Sequence, residues 1–547
     1  MSAQTGGTVG AFQISLFERL FASIAQEMGV TLQRSSFSPN IKERRDFSCA
    51  VFDRRGRIIA QAEHIPVHLG AMPMSVAAAI ELFDQDKAAP GDLVILNDPY
   101  RGGTHLPDIT TVSPVYVNAD DGPTLFGYAA TRAHHADVGG MSPGSMAIAR
   151  EIFQEGLIIP PVKLVRAGSI ERGVLDLIVA NVRTPTERHG DLTAQLAAHR
   201  VAERRTGDIA ARYGLERIIS ISQELIDYSS RLARARIARL PQGTYEFVDY
   251  LDNDGISPEP LPIRVRVDID QDGMRFDFAG TSPQVTGSLN APASVARSAV
   301  YYVLRCIVGD DVPANDGLYG SVKIRVPKRS LLDPESPRPV AGGNVETSQR
   351  VVDAVWGALA PALPDLVPAA GQGTMNNITL GGYDDQRAAP FAYYETMGGG
   401  GGGGPNRPGA HGIHVAMSNT WNSPIEALEH ALPVRVRRYS LRPGSGGDGA
   451  HPGGMGLRRD IEVLTNTEVT LLGERRRHRP WGLAGGGSGA PGDDQVLRAG
   501  GWEKVGAKAT VMLEPGEVIS LRSPGGGGWG RSPDEQSATA EDEHPQT

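Results

Sequence analysis

The sequence predicts an α+β protein in which helices and sheets mix through an N-terminal region and give way to a mostly β, glycine-rich C-terminal region. Helical and strand periodicities alternate up to about residue 370, and beyond Gly371 the texture turns to glycine-rich loops with short strands. That change divides the chain into an N-terminal α/β region 1–240, a central α+β region 241–370, a glycine-rich region 371–530 and a tail 531–547. The tail has no large apolar residue and is expected to be disordered.

Each element follows from its local pattern. Ile14, Phe17, Phe21, Ile24 and Met28 recur at spacings of three and four between charged residues, so an amphipathic helix is expected from about Gly10 to Arg34. Two strand-like runs flank Asp53-Arg54-Arg55-Gly56-Arg57, the pattern of a β-hairpin. A helix from about Met74 to Phe83 precedes Asp92 to Leu96, which reads as a buried strand. Thr111 to Val117 and Leu125 to Thr131 read as paired strands around the turn from Ala119 to Pro123. Residues 190 to 240 carry two helices separated near Tyr213-Gly214. The alternation on either side of Gln271-Asp272-Gly273 gives a further hairpin, and helices follow over Ala293 to Val308 and Ser348 to Ala360.

Composition narrows the class. The 54 basic and 63 acidic residues leave a net charge of −9, which offers no basic field for a phosphate backbone, so nucleic acid is not an expected partner. No apolar stretch of spanning length is expected, nor any secretory leader; a membrane is not an expected partner and the location expected is the cytoplasm. Cys49 and Cys306 sit in apolar surroundings and read as buried thiols.

Two packets concentrate the chemistry. Asn97 to Asp108 holds two acids, a histidine and two glycines, and Arg132 to Gly140 holds His134, His135 and Asp137 at a strand end. The strand pattern brings His105, Asp108 and His134 to nearly the same level. Imidazoles and carboxylates converging on one point form a mixed nitrogen and oxygen donor set, suited to a divalent metal such as zinc, manganese or iron. Asp46 could add an oxygen. The competing reading is that these residues are turn formers and surface groups.

These packets, with Glu43 to Ser48, His68 to Met72, Glu155 to Pro161, Gly343 to Ser348, Asn419-Thr420, Asn422 to Glu426 and Pro480 to Leu483, resemble the hydantoinase B family. That family includes the B component of N-methylhydantoinase, the C-terminal half of 5-oxoprolinase and the alpha subunits of ketone carboxylases. The resemblance implies a hetero-oligomer in which a hydantoinase A-type partner uses ATP to phosphorylate the carbonyl of a small cyclic amide or imide. This chain would supply a metal centre whose activated water opens the ring. Carried over by position, it implies Asp46, His105, Asp108 and His134 as metal ligands, with His135 and Asp137 as catalytic candidates that orient them through hydrogen bonds. A ketone carboxylase subunit, a non-catalytic scaffold for the ATPase and a stand-alone metallohydrolase are the alternatives.

Other features point elsewhere. The run Gly398 to Gly404 follows no evident strand and opens no helix, so it does not make a nucleotide loop; a flexible loop is expected, with a substrate-contacting lid as the alternative. Arg475 to Arg479 read as a solvated or subunit-facing turn, with phosphate binding as the alternative. His64 and His68 read as structural. Glu346, Asn376, Glu395 and Asn419 lie in motifs of the family, with no geometry that assigns them a role.

Overall fold

The computed structural model describes residues 10–62, 65–119 and 121–532; His64, Asp120 and the tail from 533 onward lie outside them. Its first layer is a seven-stranded sheet built from β1 (Phe47–Asp53), β2 (Ile58–Ala62), β3 (Leu93–Leu96), β4 (Asp108–Ala119), β5 (Gly122–His134), β6 (Val162–Arg166) and β7 (Ser169–Ile170). They lie in the order β2-β1-β5-β4-β3-β6-β7, all neighbours antiparallel.

Both faces of this sheet are covered, which explains why β1 is buried along its whole length. Successive side chains alternate between faces. Phe47, Cys49 and Val51 enter one core with the helices Ala11–Ser35, Pro185–Tyr213 and Leu215–Ile237, while Ala50 and Phe52 enter another with the helix Met72–Asp86. The first helix buries Ile14, Phe17, Phe21, Ile24 and Met28, the stripe its sequence spells out. The segment Pro66–Asp86 corrects the expectation of no long apolar stretch, since it reaches a mean hydropathy of 1.3 over an 18-residue window. Its apolar face is taken up by the sheet, where Met72, Val76, Ala79 and Phe83 meet Val94 and Leu96.

A second sheet, β8 (Gly243–Leu251), β9 (Leu261–Asp270), β10 (Gly273–Asp277) and β11 (Val322–Arg325), is antiparallel except for the parallel pair β10 and β11. Val265, Val267 and Ile269 point into a core shared with the helices Ala293–Val308 and Ser348–Leu359. Cys306 contradicts the expectation of a buried thiol: it is exposed, whereas Cys49 is buried. Leu304 faces the core, and two steps along a helix turn the side chain by about 200°, which carries residue 306 to the solvent side.

Two further sheets share one core in the C-terminal region. One joins β12 (Asn377–Asp384), β13 (Ala389–Glu395), β16 (Thr467–Leu472) and β19 (Lys508–Leu513); the other joins β14 (Val434–Arg442), β15 (Gly456–Val463), β17 (Gln495–Arg498), β18 (Gly501–Lys504) and β20 (Val518–Arg522). The fold is thus α+β.

The glycine run is not a flexible loop. It follows β13 closely, and all but one of its glycines are buried. Its amides are bonded in sequence to distant carbonyls: Gly399 to Ile413, Gly400 to Pro524, Gly401 to Ala410 and Gly403 to Gly527. A second run answers it, with Gly447 bonded to Gly526, Gly454 to Gly401 and Gly528 to Gly487. A methyl group at Gly400, Gly402, Gly453, Gly525 or Gly526 would stand within 3.0 Å of a backbone carbonyl oxygen. Backbone here packs directly on backbone, and only glycine permits that approach. The basic cluster is likewise corrected in part. Arg475 is buried, bonded at 2.7 Å to both Asp249 and Asp353, because it closes an internal charge network with Arg350 rather than a solvated turn.

Candidate metal centre

The register of β4 against β5 sets the site. Asp108, the first residue of β4, pairs directly with His134, the last of β5, and the His134 amide donates to the Asp46 carbonyl at 2.9 Å. Three stretches distant in sequence therefore meet at one end of the sheet. His105 is delivered by the loop Asn97 to Asp108, which doubles back sharply. There Gly102 has φ +101°, and the Gly103 amide donates to the Asp98 carbonyl at 2.8 Å. Asn97 ties this loop down by donating to the carbonyls of Leu106 and Leu157 and accepting from the Ile159 amide.

The donor atoms of His105, Asp108 and His134 lie within 4.8 Å of one another, and all three residues are buried. Asp108 Oδ1 is 3.0 Å from His105 Nε2 and 3.1 Å from His134 Nδ1. His105 Nε2, close as it is, makes no hydrogen bond, and His134 Nε2 is shut off from solvent without a partner among the described residues. Buried polar atoms left this way are costly. Donors bonded to one ion at about 2.1 Å each stand roughly 3 Å apart, so this set fits a divalent cation. Asp46 lines the same cavity beside Asp108 and His134, without belonging to the tight triad.

His68, expected to be structural, also faces the site. Its Nε2 is 3.6 Å from Asp108 Oδ2 and its Nδ1 is 2.9 Å from the Ser48 hydroxyl. The side chains that orient the triad are Thr104, donating to Asp108 Oδ2 at 2.7 Å, and Asn344, donating to the same oxygen at 3.2 Å. His105 Nδ1 is 3.2 Å from the Ala341 carbonyl. Asn344 comes from a π-helical turn, Gly343–Thr347, a distortion frequent at functional sites. Thr104 is legible as a neighbour four residues before Asp108, whereas no local pattern announces the reach of Asn344 over more than 230 residues.

His135 and Asp137 stand apart from the triad. Neither lines the cavity, and neither hydrogen-bonds a member of the triad among the described residues. Consecutive residues leaving a strand point to opposite sides, so His135 turns to Gln195 at 3.1 Å on the helix Pro185–Tyr213. Asp137 accepts from the Arg183 amide at 2.8 Å and pairs with its guanidinium at 2.9 Å.

Electrostatics divides the carboxylates. Burial opposes ionisation of Asp108, but His105, His134 and His68 overcome it and hold the carboxyl well below its usual range. Burial pushes Asp46 up to about 7 despite the Arg44 guanidinium beside it. Burial likewise pushes His134 down to about 3, and its ring stacks on Tyr394 at 4.3 Å. On His105 burial also opposes charge, yet the Asp108 carboxylate outweighs it and raises the imidazole.

The cavity itself is about 20 Å³, room for about one water. Its apolar wall is formed by Ile65, Val67, Val345, Met375 and Met417, and its polar wall by Tyr394, Thr396, Ser418 and Thr420. Arg44 locks that polar wall, donating to the Tyr394 carbonyl at 2.8 Å and to Thr396 Oγ1 at 2.8 Å. Glu346, Asn376 and Glu395 serve as internal supports: Glu346 accepts from the Met375 amide and Asn377, Asn376 donates to Gln372, and Glu395 pairs with Arg459.

Similarity to known proteins runs along nearly the whole described chain. Residues 10–532 match the hydantoinase B/oxoprolinase family. An uncharacterized protein of Methanocaldococcus jannaschii is 39% identical over 510 residues, 93% of this chain and 88% of that one. The 5-oxoprolinase 1 of Arabidopsis thaliana is 39% identical over 95% of this chain, which spans only 42% of the plant protein. A protein described as the B component of a D-/L-hydantoinase, from Pseudomonas sp. strain NS671, is 33% identical over 93% of this chain and 88% of its own length. Among solved structures, the ATP-dependent caprolactamase of Pseudomonas jessenii superposes with a TM-score of 0.89 at 28% identity, covering 98% of this chain and 94% of the other. An acetone carboxylase shares the fold, with a TM-score of 0.88 at 19% identity over 97% of this chain and 77% of that one. A match that runs through nearly every described residue, joined to relatives above 30% identity over most of their length, makes this chain a member of the hydantoinase B/oxoprolinase family.

Proposed function

We propose that this chain is the metal-bearing subunit of an ATP-dependent enzyme that opens a cyclic amide or imide by hydrolysis. A hydantoinase A-type partner would use ATP to phosphorylate the ring carbonyl. The observation that carries the reading is the buried convergence of His105, Asp108 and His134, with His134 Nε2 left without a partner among the described residues, on a cavity of water size. Zinc, manganese or iron would be held by these three residues, with Asp46 as a fourth donor. Such a cation supplies Lewis acidity that polarises a carbonyl oxygen and lowers the pKa of water toward neutrality.

The chain's own residues supply the rest. Thr104 and Asn344 both occupy Asp108 Oδ2, which leaves Oδ1 facing the two histidines. Tyr394, stacked on His134 and bonded through its hydroxyl to Asn377 at 2.7 Å, fixes the plane of that imidazole. The apolar wall keeps bulk water out, so the one water admitted is the one positioned to attack.

The test is co-expression with the hydantoinase A-type partner, followed by a screen of hydantoins, 5-oxoproline, lactams and ketones for ATP consumption. Ring opening of at least one cyclic amide is expected, with His105→Ala and His134→Ala losing both metal and activity. Full metal content and full activity in those two variants would refute the assignment, and a carboxylated ketone as product would replace hydrolysis by carboxylation.

A further inference from the structure

Cleavage of a ring C–N bond needs more than an attacking water. The nitrogen leaves as a strongly basic anion unless a proton reaches it as the bond breaks, and a positioned side chain commonly delivers it. None of the triad residues is free for this. Asp108 is taken up by Thr104 and Asn344 on one oxygen, and the two histidines turn nitrogens toward the other.

Of the hydroxyls on the cavity wall, Tyr394 is bonded to Asn377 and Thr396 and Thr420 to each other, whereas Ser418 is paired with an imidazole. Ser418 is buried and lines the cavity together with Asp108 and His134. Its hydroxyl is 2.8 Å from His414 Nδ1, four residues earlier. Ala416, between them, has φ +52°, a left-handed conformation that a residue with a side chain adopts only under constraint. That turn brings serine and histidine onto each other, and it is pinned to the helix Ser348–Leu359 by Gln349, which donates to the Val415 carbonyl at 3.1 Å. His414 Nε2 is shut off from solvent with no partner among the described residues. Of the two neutral tautomers, the one with its proton on Nδ1 leaves a bare lone pair at Nε2, and a buried acceptor without a partner is tolerated more often than a buried N–H. His414 then donates to Ser418 Oγ.

A hydroxyl has two lone pairs and one proton. With one lone pair taken by His414, Ser418 Oγ keeps one acceptor site and one donor for the cavity. The cavity that Ser418 lines has room for about one water.

We propose that Ser418, held in place by His414, is the proton shuttle for C–N cleavage, an inference that rests on the ring-opening function above. The water oxygen bonds to the activated carbonyl carbon, and the C–N bond breaks with its electron pair going to nitrogen. Nitrogen takes the Ser418 proton while Ser418 Oγ takes one proton from the water, so the hydroxyl is restored; the second water proton passes to solvent, and the carbon keeps its phosphoryl oxygen, so the opened chain leaves as an acyl phosphate for a later hydrolysis. Ser418 is the catalytic residue and His414 is a positioning residue, neutral throughout. Burial, which depresses the His414 imidazole to about 4, agrees with that.

Leaving-group dependence tests it, using the complex with the ATP-binding partner and two substrates. A lactam nitrogen is a poor leaving group; an imide or hydantoin nitrogen, stabilised by a second carbonyl, is a better one. Ser418→Ala is expected to lower kcat on the lactam by about 10²- to 10³-fold and on the imide by about tenfold or less, with metal content and KM unchanged. His414→Asn, whose amide can still donate to the hydroxyl, is expected to keep most of the lactam activity that His414→Leu loses. Equal losses on both substrates in Ser418→Ala, or no advantage of asparagine over leucine at position 414, would overturn the shuttle. An active wild-type complex with a fully active Ser418→Ala variant overturns the shuttle alone, whereas a wild-type complex that opens no ring overturns the underlying function as well.

Discussion

The seven-stranded sheet and the glycine runs are both buried and both rigidly hydrogen-bonded, yet they reach that state by opposite routes. In the sheet, position is dictated by side chains: Phe21 at one face and Phe83 at the other fill the space between backbones. Among the runs around Gly400 and Gly526, position is dictated by having no side chain, and the spaces between backbones are too narrow for even a methyl group. Order can therefore come from filling volume or from removing it. Composition alone confuses the second case with flexibility.

The contrast predicts equal damage from opposite operations. Gly526→Ala adds one carbon within 3.0 Å of a carbonyl and is expected to cost about 3 kcal/mol or more, while Phe21→Ala removes a ring from the core and is expected to cost about 3–5 kcal/mol. Chemical denaturation of both variants measures this; a Gly526→Ala protein as stable as wild type would dissolve the distinction. Next in size is the site carried by the sheet. Asn344→Ala is expected to weaken metal affinity about 10- to 100-fold without unfolding the chain, because Asp108 loses one of the two donors that orient it. Competition against a chelator gives the number.

Acid should strike the sheet first. His199 lies between the Thr111 and Ser113 hydroxyls at 2.8 and 2.7 Å, and burial depresses it to about 3. Unfolded, it titrates near 6.5, so the unfolded chain takes up the proton at higher pH. The stabilising difference is complete above about pH 6.5 and is lost as pH falls toward 3, with a slope of up to about 1.4 kcal/mol per pH unit. His199→Gln keeps a hydrogen-bonding group but cannot titrate, and it is expected to flatten that slope in unfolding experiments between pH 4 and about 6.5. The smallest effect sharpens the contrast from the other side. Gly207, in the helix Pro185–Tyr213, has open space where a Cβ would stand, so Gly207→Ala is expected to stabilise by about 0.5–1 kcal/mol, read as a raised thermal midpoint.

What is legible in the sequence follows the same line. The stripe Ile14 to Met28 and the paired runs that form β4 and β5 declare themselves through periodicity, and their pairing alone brings Asp108 opposite His134. His105 is legible because it shares a turn with Asp108. The remaining walls of the site are not: Asn344, Tyr394 and Ser418 reach it through tertiary packing, which leaves no local pattern, and His68 looks like an ordinary turn residue. The partners of His135 and Asp137, Gln195 and Arg183, are not legible either, because proximity in sequence to a ligand does not fix the side of the strand on which a residue emerges. The glycine run departs from the flexible loop expected of it because linker composition and zero-clearance packing are the same string of letters.

The interlocked glycines carry a consequence for heredity. A single-base change in any glycine codon substitutes a residue with a Cβ or ends translation; synonymous changes aside, no neighbour is harmless where a carbonyl already occupies the place a Cβ would take. An inserted residue would shift several strands of the lattice at once, since Gly401, Gly454 and Gly526 are bonded in a chain to one another. Stretches that resemble dispensable filler should thus be among the slowest parts of this gene to drift, and deep mutational profiles would show them as the darkest band.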